Sequence, residues 1–224
     1  MSLVTQNTHK QLSRLGKTEA WLCQQLGVED FLLLPLAKLE RLAQVLNCSV
    51  LDLVTTAESA NPNSPKNINT LILDVDGVMT DGGMYYTESG DQFKRFDTKD
   101  GMAIRSLINQ NYRVGLISSG FKSEIIKKRA DVLGVQLVYV GREPKLEILT
   151  SWAKTHQFAL ENVAYIGDDV NDLEVMAAVG FTACPADATN KVKSKAHLIL
   201  TQKGGQGCIR EFIENVLNVD VTYS

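Results

Sequence analysis

Leu71-Ile72-Leu73-Asp74-Val75-Asp76-Gly77-Val78-Met79-Thr80-Asp81-Gly82 sets two acids two residues apart where an apolar run ends. The run, taken as 70–74, has strand character. At a period of two, Asp74 and Asp76 leave a strand on the same side, and Gly77 lets the chain turn sharply beneath them. A well hydrogen-bonded turn is enough to explain such a pair, so its surroundings decide the reading.

Downstream, apolar runs at 113–118, 136–139, 163–166, 181–184 and 197–200 read as strands. They alternate with helical spacing at 102–110, 123–133, 145–156, 170–178, 191–194 and 209–217. This order is that of an α/β fold, a Rossmann-like parallel sheet with helices on both faces, which binds ligands at the carboxyl ends of its strands. Segments 83–86 and 92–96 flank Glu88-Ser89-Gly90-Asp91 and read as a β-hairpin inserted after the first strand. Upstream, 18–26 and 36–46 have helical spacing and 49–53 a further helical turn, a small all-helical unit. Two prolines and several small polar residues at 57–66 mark a linker. The expected division is a helical extension at 1–56, the linker at 57–66 and an α/β domain at 67–224.

Composition bounds the function. Of 224 residues, 44% are hydrophobic and 22% charged, as in a globular protein. Lys and Arg total 23 against 26 Asp and Glu, a formal net charge of -3, so no overall basic field exists to hold a nucleic acid. The cysteines, Cys23, Cys48, Cys184 and Cys208, form no Cys-x-x-Cys pair and fit buried thiols of a reducing cytosol. The longest apolar stretches, 31–36 and 71–73, fall far short of the roughly 20 residues of a membrane span. No basic-then-apolar leader is seen, and a cytoplasmic location without membrane contact is expected.

The second acidic group is Tyr165-Ile166-Gly167-Asp168-Asp169-Val170-Asn171-Asp172, again where a strand ends. Asp168 and Asp172, four apart, are expected to share a helix face near the positive end of its dipole. Acids from two parallel strands converge at one sheet edge, where carboxylates without a cation repel one another. A divalent cation resolves the conflict, and oxygen-only ligands point to Mg²⁺. Ser119 and Gly120, after another strand, offer a hydroxyl and a backbone N–H to a phosphoryl oxygen. Lys145 opens a helix, and its ammonium can bridge nucleophile and phosphate. Taken singly, such a serine is a helix cap and such a lysine is solvated surface. Their order, Asp-x-Asp-Gly, Ser, Lys, then Gly-Asp-Asp-x-x-Asp, is what carries the reading.

With these four motifs in order, the sequence resembles the haloacid dehalogenase superfamily of aspartyl-phosphate phosphatases over about residues 67–218. More narrowly, 74–82, Lys94-Arg95-Phe96, Asp100-Gly101, 165–172 and Lys203-Gly204-Gly205-Gln206-Gly207 resemble the 3-deoxy-D-manno-octulosonate 8-phosphate phosphatase group, which includes nonulosonate 9-phosphate phosphatases. The resemblance implies a Mg²⁺-dependent hydrolase of a phosphorylated 3-deoxy-2-ulosonic acid used for surface polysaccharide. It also implies no cap domain, and a homotetramer whose hairpins assemble centrally so that a neighbouring subunit roofs each site. Carried over by residue, it makes Asp74 the nucleophile and Asp76 the acid and base. Mg²⁺ would be held by the Asp74 and Asp168 side chains and the Asp76 carbonyl, with Asp172, and Asp169 as a further candidate, behind them. Ser119, Gly120 and Lys145 would orient the phosphoryl group and stabilise its charge. Two motifs depart from the group. Ser119-Gly120-Phe121 stands where octulosonate phosphatases read Thr-Gly-Arg, and Pro144-Lys145 stands for Asp-Lys, with Arg142 nearby. The lost arginine weakens the eight-carbon assignment and raises the nine-carbon alternative, leaving Lys203, Arg210 and Arg95 as candidates for the sugar carboxylate.

Residues 36–53 resemble the last helices of Cro/repressor-type helix-turn-helix domains. However, 18–34 is short for a recognition helix, and Glu29 and Asp30 stand where phosphate-contacting bases are wanted. The extension therefore reads as a packing or assembly module before a DNA reader. Two rivals to the enzyme remain. One is a catalytically silent scaffold, disfavoured by Asp74, Asp76, Lys145 and Asp168 occurring together. The other is a response-regulator receiver, disfavoured because its phosphoacceptor follows the third strand rather than the first.

Overall fold

The computed structural model describes residues 3–15, 17–29, 39–46, 50–54, 67–120 and 123–222, and the chain divides into two compact units, Met1–Ser64 and Pro65–Ser224. The linker expected at 57–66 lies outside the described residues.

The first unit holds helices α1 (Leu3–Arg14), α2 (Glu19–Leu26), α3 (Leu39–Val45) and α4 (Val50–Val54), closed over Leu12, Leu22, Leu42, Leu46 and Leu53. Thr18 caps α2, its Oγ1 accepting the Trp21 N–H at 3.3 Å, and Gly27 ends it at φ +65°. Helix α1 is not anticipated by the sequence reading. Its buried positions 5, 8 and 12 lie on one helical face, but two of them are Thr5 and Thr8. Hydropathy therefore shows no apolar stripe there.

The second unit runs β1 (Thr70–Leu73), β2 (Tyr85–Tyr86), β3 (Gln92–Phe93), α5 (Thr98–Asn109), β4 (Arg113–Ser118), α6 (Glu124–Leu133), β5 (Leu137–Val140), α7 (Lys145–His156), β6 (Val163–Ile166), α8 (Leu173–Met176), β7 (Phe181–Cys184), α9 (Asn190–Lys193), β8 (Leu198–Ile199) and α10 (Cys208–Asn215). Its main sheet has the order β5-β4-β1-β6-β7-β8, every pair parallel, while β2 and β3 form the antiparallel hairpin. Alternation within the strands explains the layering. Leu71, Leu73, Leu116, Ala164 and Ile166 pack with α5, α6 and α10, whereas Ile72, Ile117, Val163 and Tyr165 pack with α7, α8 and α9. Strands buried on both faces read as unbroken apolar runs, which is why the sequence announces them. Among the described residues, only the hairpin is inserted between β1 and α5, so there is no cap domain. None of the described helices is long and apolar enough to cross a membrane.

Two helices of this unit depart most from expectation. Helix α5 starts four residues earlier than 102, because the Asp97 carboxylate accepts the Lys99 and Asp100 N–H groups and nucleates the first turn. The helix expected at 170–178 is a tight turn, Val170–Asp172, followed by the short α8.

Candidate active site

The register brings three loops together. Leu73 is paired with Leu116 on one side and Ile166 on the other, so β1, β4 and β6 deliver Asp74, Ser119 and Asp168 to the same end of the sheet. Asp74 and Asp76 lie past the end of β1, in a broad turn over 75–79 closed by the Thr80 N–H on the Val75 carbonyl at 3.0 Å. The period-two argument therefore does not place Asp76. The turn does, with Gly77 at φ +93° and packed so that a Cβ would overlap the Asp168 carboxylate.

Asp74 is buried, and its Oδ1 accepts from Lys145 Nζ at 2.8 Å. Lys145, 4% exposed at the start of α7, also donates to Asp172 Oδ1 at 2.6 Å. Burial pulls the lysine down, but Asp74 and Asp172 together outweigh it and leave it raised and charged. An ammonium has three N–H donors, so one remains for an incoming anion.

Asp168 does not share a helix face with Asp172, as the sequence suggested, because the helix starts too late. Asp172, fully buried, turns back instead. Its Oδ1 accepts from Tyr165 Oη at 2.6 Å and from Lys145, and its Oδ2 accepts the Asp168 and Asp169 N–H groups at 2.9 and 3.2 Å. Four donors saturate this carboxylate, which places it as the strut behind the site. Asp169 Oδ1 accepts the Val170 N–H at 2.7 Å and caps the local turn.

Ligand atoms of Asp74, Asp168 and Asp172 lie within 4.8 Å of one another. Burial, then Asp74 and Asp172, push the Asp168 carboxyl up to about 8; burial and then Asp172 push Asp74 up to about 6. Asp168 Oδ1 is buried with no hydrogen-bond partner. An orphaned carboxylate oxygen beside a second acid is what a bound cation would satisfy, and an all-oxygen set suits a hard one.

The Asp76 carboxylate stays out of this group. It pairs with Lys94, whose side chain is only 3% exposed. A Cβ on Gly120 would lie 3.9 Å from Asp76 Oδ2, which brings the Ser119-Gly120 loop beside the first motif. In that loop the Gly120 N–H donates to Ser118 Oγ at 3.1 Å, and Ser119 Oγ accepts from Asn171 Nδ2 at 3.2 Å. Phe121, the position that departs from Thr-Gly-Arg, lies outside the described residues. Of the candidates for a sugar carboxylate, Arg210 is tied to Glu214 at 2.7 Å, Arg95 lies 4.0 Å from Asp81, and Lys203 is exposed.

The sequence assigns no role to three members of the site, Lys94, Tyr165 and Asn171, although all three stand within motifs that carry the resemblance. The signal for Tyr165 is a phenol in an otherwise aliphatic strand, two residues before the Gly-Asp-Asp run. Spacing does not reveal the partners of Lys94 and Asn171, which stand 18 and 52 positions away.

Residues 138–213 match the haloacid dehalogenase-like hydrolase family. The chain is 41% identical over 151 residues to the 3-deoxy-D-manno-octulosonate 8-phosphate phosphatase KdsC of Yersinia pestis, covering 67% of this chain and 80% of that protein. Its fold is similar to a crystal structure of the Yersinia pestis phosphatase, with a TM-score of 0.66, 40% identity and coverage of 68% and 82% of the two chains. It is similar also to the Moraxella catarrhalis phosphatase in complex with magnesium, phosphate and KDO, with a TM-score of 0.67, 29% identity and coverage of 70% and 90%.

Proposed function

We propose, for a chain that belongs to the haloacid dehalogenase-like hydrolases and within them to the 3-deoxy-D-manno-octulosonate 8-phosphate phosphatase family, that it hydrolyses the phosphomonoester of a 3-deoxy-2-ulosonic acid through an aspartyl-phosphate. The observation that carries the reading is the meeting of Asp74, Asp168 and Asp172 at the end of β1 and β6, with Lys145 on Asp74 and Asp172. The Asp74 carboxylate attacks phosphorus while the bond to the sugar oxygen breaks, and Asp76 protonates the departing oxygen. Asp76 then takes a proton from water as that water attacks phosphorus, releasing phosphate and restoring Asp74. Lys145, with its spare N–H, and the Ser119-Gly120 loop hold the transferring oxygens. Asp74, Asp168 and the Asp76 carbonyl would hold Mg²⁺, which supplies charge neutralisation between carboxylate and phosphate. The same reading places the enzyme in the cytoplasm.

The substrate follows from a kinetic panel of octulosonate 8-phosphate, nonulosonate 9-phosphates and hexose phosphates. The expected result is a preference of tenfold or more in kcat/KM, on the order of 1.4 kcal/mol, for a sugar acid over hexose phosphates. The relatives support the eight-carbon arm of that panel, and the Ser119-Gly120-Phe121 departure keeps the nine-carbon arm as the alternative. Equal turnover of every compound would leave a phosphatase without this specificity.

Metal affinity should depend on pH in a defined sense. Carboxyls raised to about 8 and about 6 remain protonated below those values, and a cation must displace those protons. Mg²⁺ affinity measured by calorimetry should therefore tighten between pH 6 and 8, by up to about tenfold per unit where one proton is released. A flat profile would mean that Asp168 is not a ligand.

The hairpin exposes Met84, Tyr85, Tyr86 and Phe93, at 57%, 46%, 60% and 56%. An exposed apolar group of this kind supports self-association into the homotetramer of the resemblance. Phe93→Asp should lower the sedimenting mass without unfolding the domain; an unchanged tetramer would assign the interface elsewhere.

A further inference from the structure

A buried carboxylate outside the reaction centre stands at the head of a chain of contacts that ends at the nucleophile turn. Asp100 lies in the first turn of α5 and is 2% exposed. It does not serve its own helix, which Asp97 caps. Its Oδ2 accepts the Gly207 N–H at 3.2 Å and its Oδ1 the Arg210 N–H at 2.8 Å, so it caps α10 from another element. The loop before α10, residues 201–207, is held at further points. Glu211 accepts the Thr201 and Gln202 N–H groups at 2.9 and 2.8 Å, and Asp187 accepts the Gly204 N–H at 3.0 Å.

This anchored loop lies directly against the turn that carries Asp74 and Asp76. The Gly205 N–H donates to the Val78 carbonyl at 2.9 Å. A Cβ on Gly204 would overlap the Gly77 carbonyl, and one on Gly205, at φ +62°, would crowd Thr80 and Asp81. The Cys208 thiol approaches the Val78 carbonyl at 3.4 Å. Gly77 in turn packs on the Asp168 carboxylate, so contacts run from loop 203–207 to both acidic motifs.

Burial works against this carboxylate and pushes it up to about 6. A neutral serine or asparagine caps a helix without that penalty. An ionised acceptor makes the stronger bonds to backbone N–H groups, which suits a part whose task is to hold a loop rigidly.

We propose that Asp100 is a positioning residue for the hydrolytic reaction, fixing loop 203–207 so that it sets the Asp74–Thr80 turn. The inference rests on Asp74 being the nucleophile. It concerns orientation, so its loss should appear in kcat. Misplacing reacting groups by a fraction of an ångström costs about tenfold to a hundredfold in rate.

The test uses the full chain with Mg²⁺ and p-nitrophenyl phosphate, which needs no knowledge of the natural sugar. Asp100→Ala should lower kcat by about tenfold or more with KM within about twofold. Asp100→Asn keeps the shape and one acceptor and should recover part of the loss; it supplies the same readout should the alanine variant melt below assay temperature. Gly205→Ala should give a similar kcat defect, and the double variant should be no slower than the slower single, because both act through one loop. A KM effect at unchanged kcat, an Asn variant as slow as Ala, or losses that multiply in the double variant would each overturn the proposal. A wild type inert towards p-nitrophenyl phosphate and the sugar phosphates would sink the phosphatase reading itself. An active wild type with unaltered Asp100 variants would sink this inference alone.

Discussion

Asp74→Asn is expected to abolish phosphate release, by at least about 10⁴-fold in kcat, since an amide cannot form the acyl phosphate and no neighbouring acid has the same placement. The fold should survive. Asp74 is buried in a group of three acids with Lys145 as its cation, and burial with Asp172 holds its pKa at about 6 against an ordinary 3.8. A carboxyl raised on folding binds its proton more tightly in the native state. Its contribution is therefore complete below about 4 and is lost as pH rises through about 6; for Asp168 the loss extends to about 8. The metal-free wild type should accordingly melt at a lower temperature at pH 8 than at pH 5. Asp74→Asn should flatten that slope, because one of the mutually repelling charges is gone. Phosphate release and metal-free melting curves at the two pH values check both halves. Turnover retained within tenfold of wild type would remove Asp74 from the chemistry. A slope unchanged by the substitution would mean that the acids do not repel as their geometry implies.

The parts of this site that could be read from sequence share a physical property. Strands buried on both faces leave unbroken apolar runs, and each run stops where the backbone leaves the sheet. Asp74, Ser119 and Asp168 are legible because each follows such a stop, and a parallel sheet gathers its strand ends on one edge. Lys145 is legible through its order among the motifs. What escaped depends on how loops fold back. Spacing puts Asp172 on one helix face with Asp168, yet it is the acceptor for two N–H groups of its own loop and for the Tyr165 phenol. Lys94 looks like any surface lysine until the hairpin returns it to Asp76. Helix α1 hides because threonines occupy two of its inward positions. Spacing reports periodic structure well; it says little about a polar side chain whose partner is set by a turn.

Lys145 should be the most costly residue of the site to remove in stability, and its loss should be felt in rate as well. Its ammonium is the only cation that the structure places on both Asp74 and Asp172 among the described residues, and the three side chains are 3%, 7% and 0% exposed. Removing one partner of a buried ion pair leaves the others unpaired, at a cost of about 3–5 kcal/mol. For a domain of this size, each kcal/mol lowers the melting temperature by roughly 2–4 °C, so Lys145→Met should lower it by about 6–20 °C. Turnover should fall by about 10²–10³-fold, the usual loss when one donor to a transition-state oxygen is deleted. Lys145→Arg should not rescue turnover, since a planar guanidinium cannot occupy a point-charge position between two carboxylates at 2.6 and 2.8 Å. The double variant with Asp172→Asn separates the two roles. Removing a negative charge along with the positive one should make it more stable than Lys145→Met alone, while its turnover stays lost. Stability losses that simply add would mean the pair is not coupled in the fold, and turnover recovered in the double variant would mean that Lys145 acts only by neutralising Asp172.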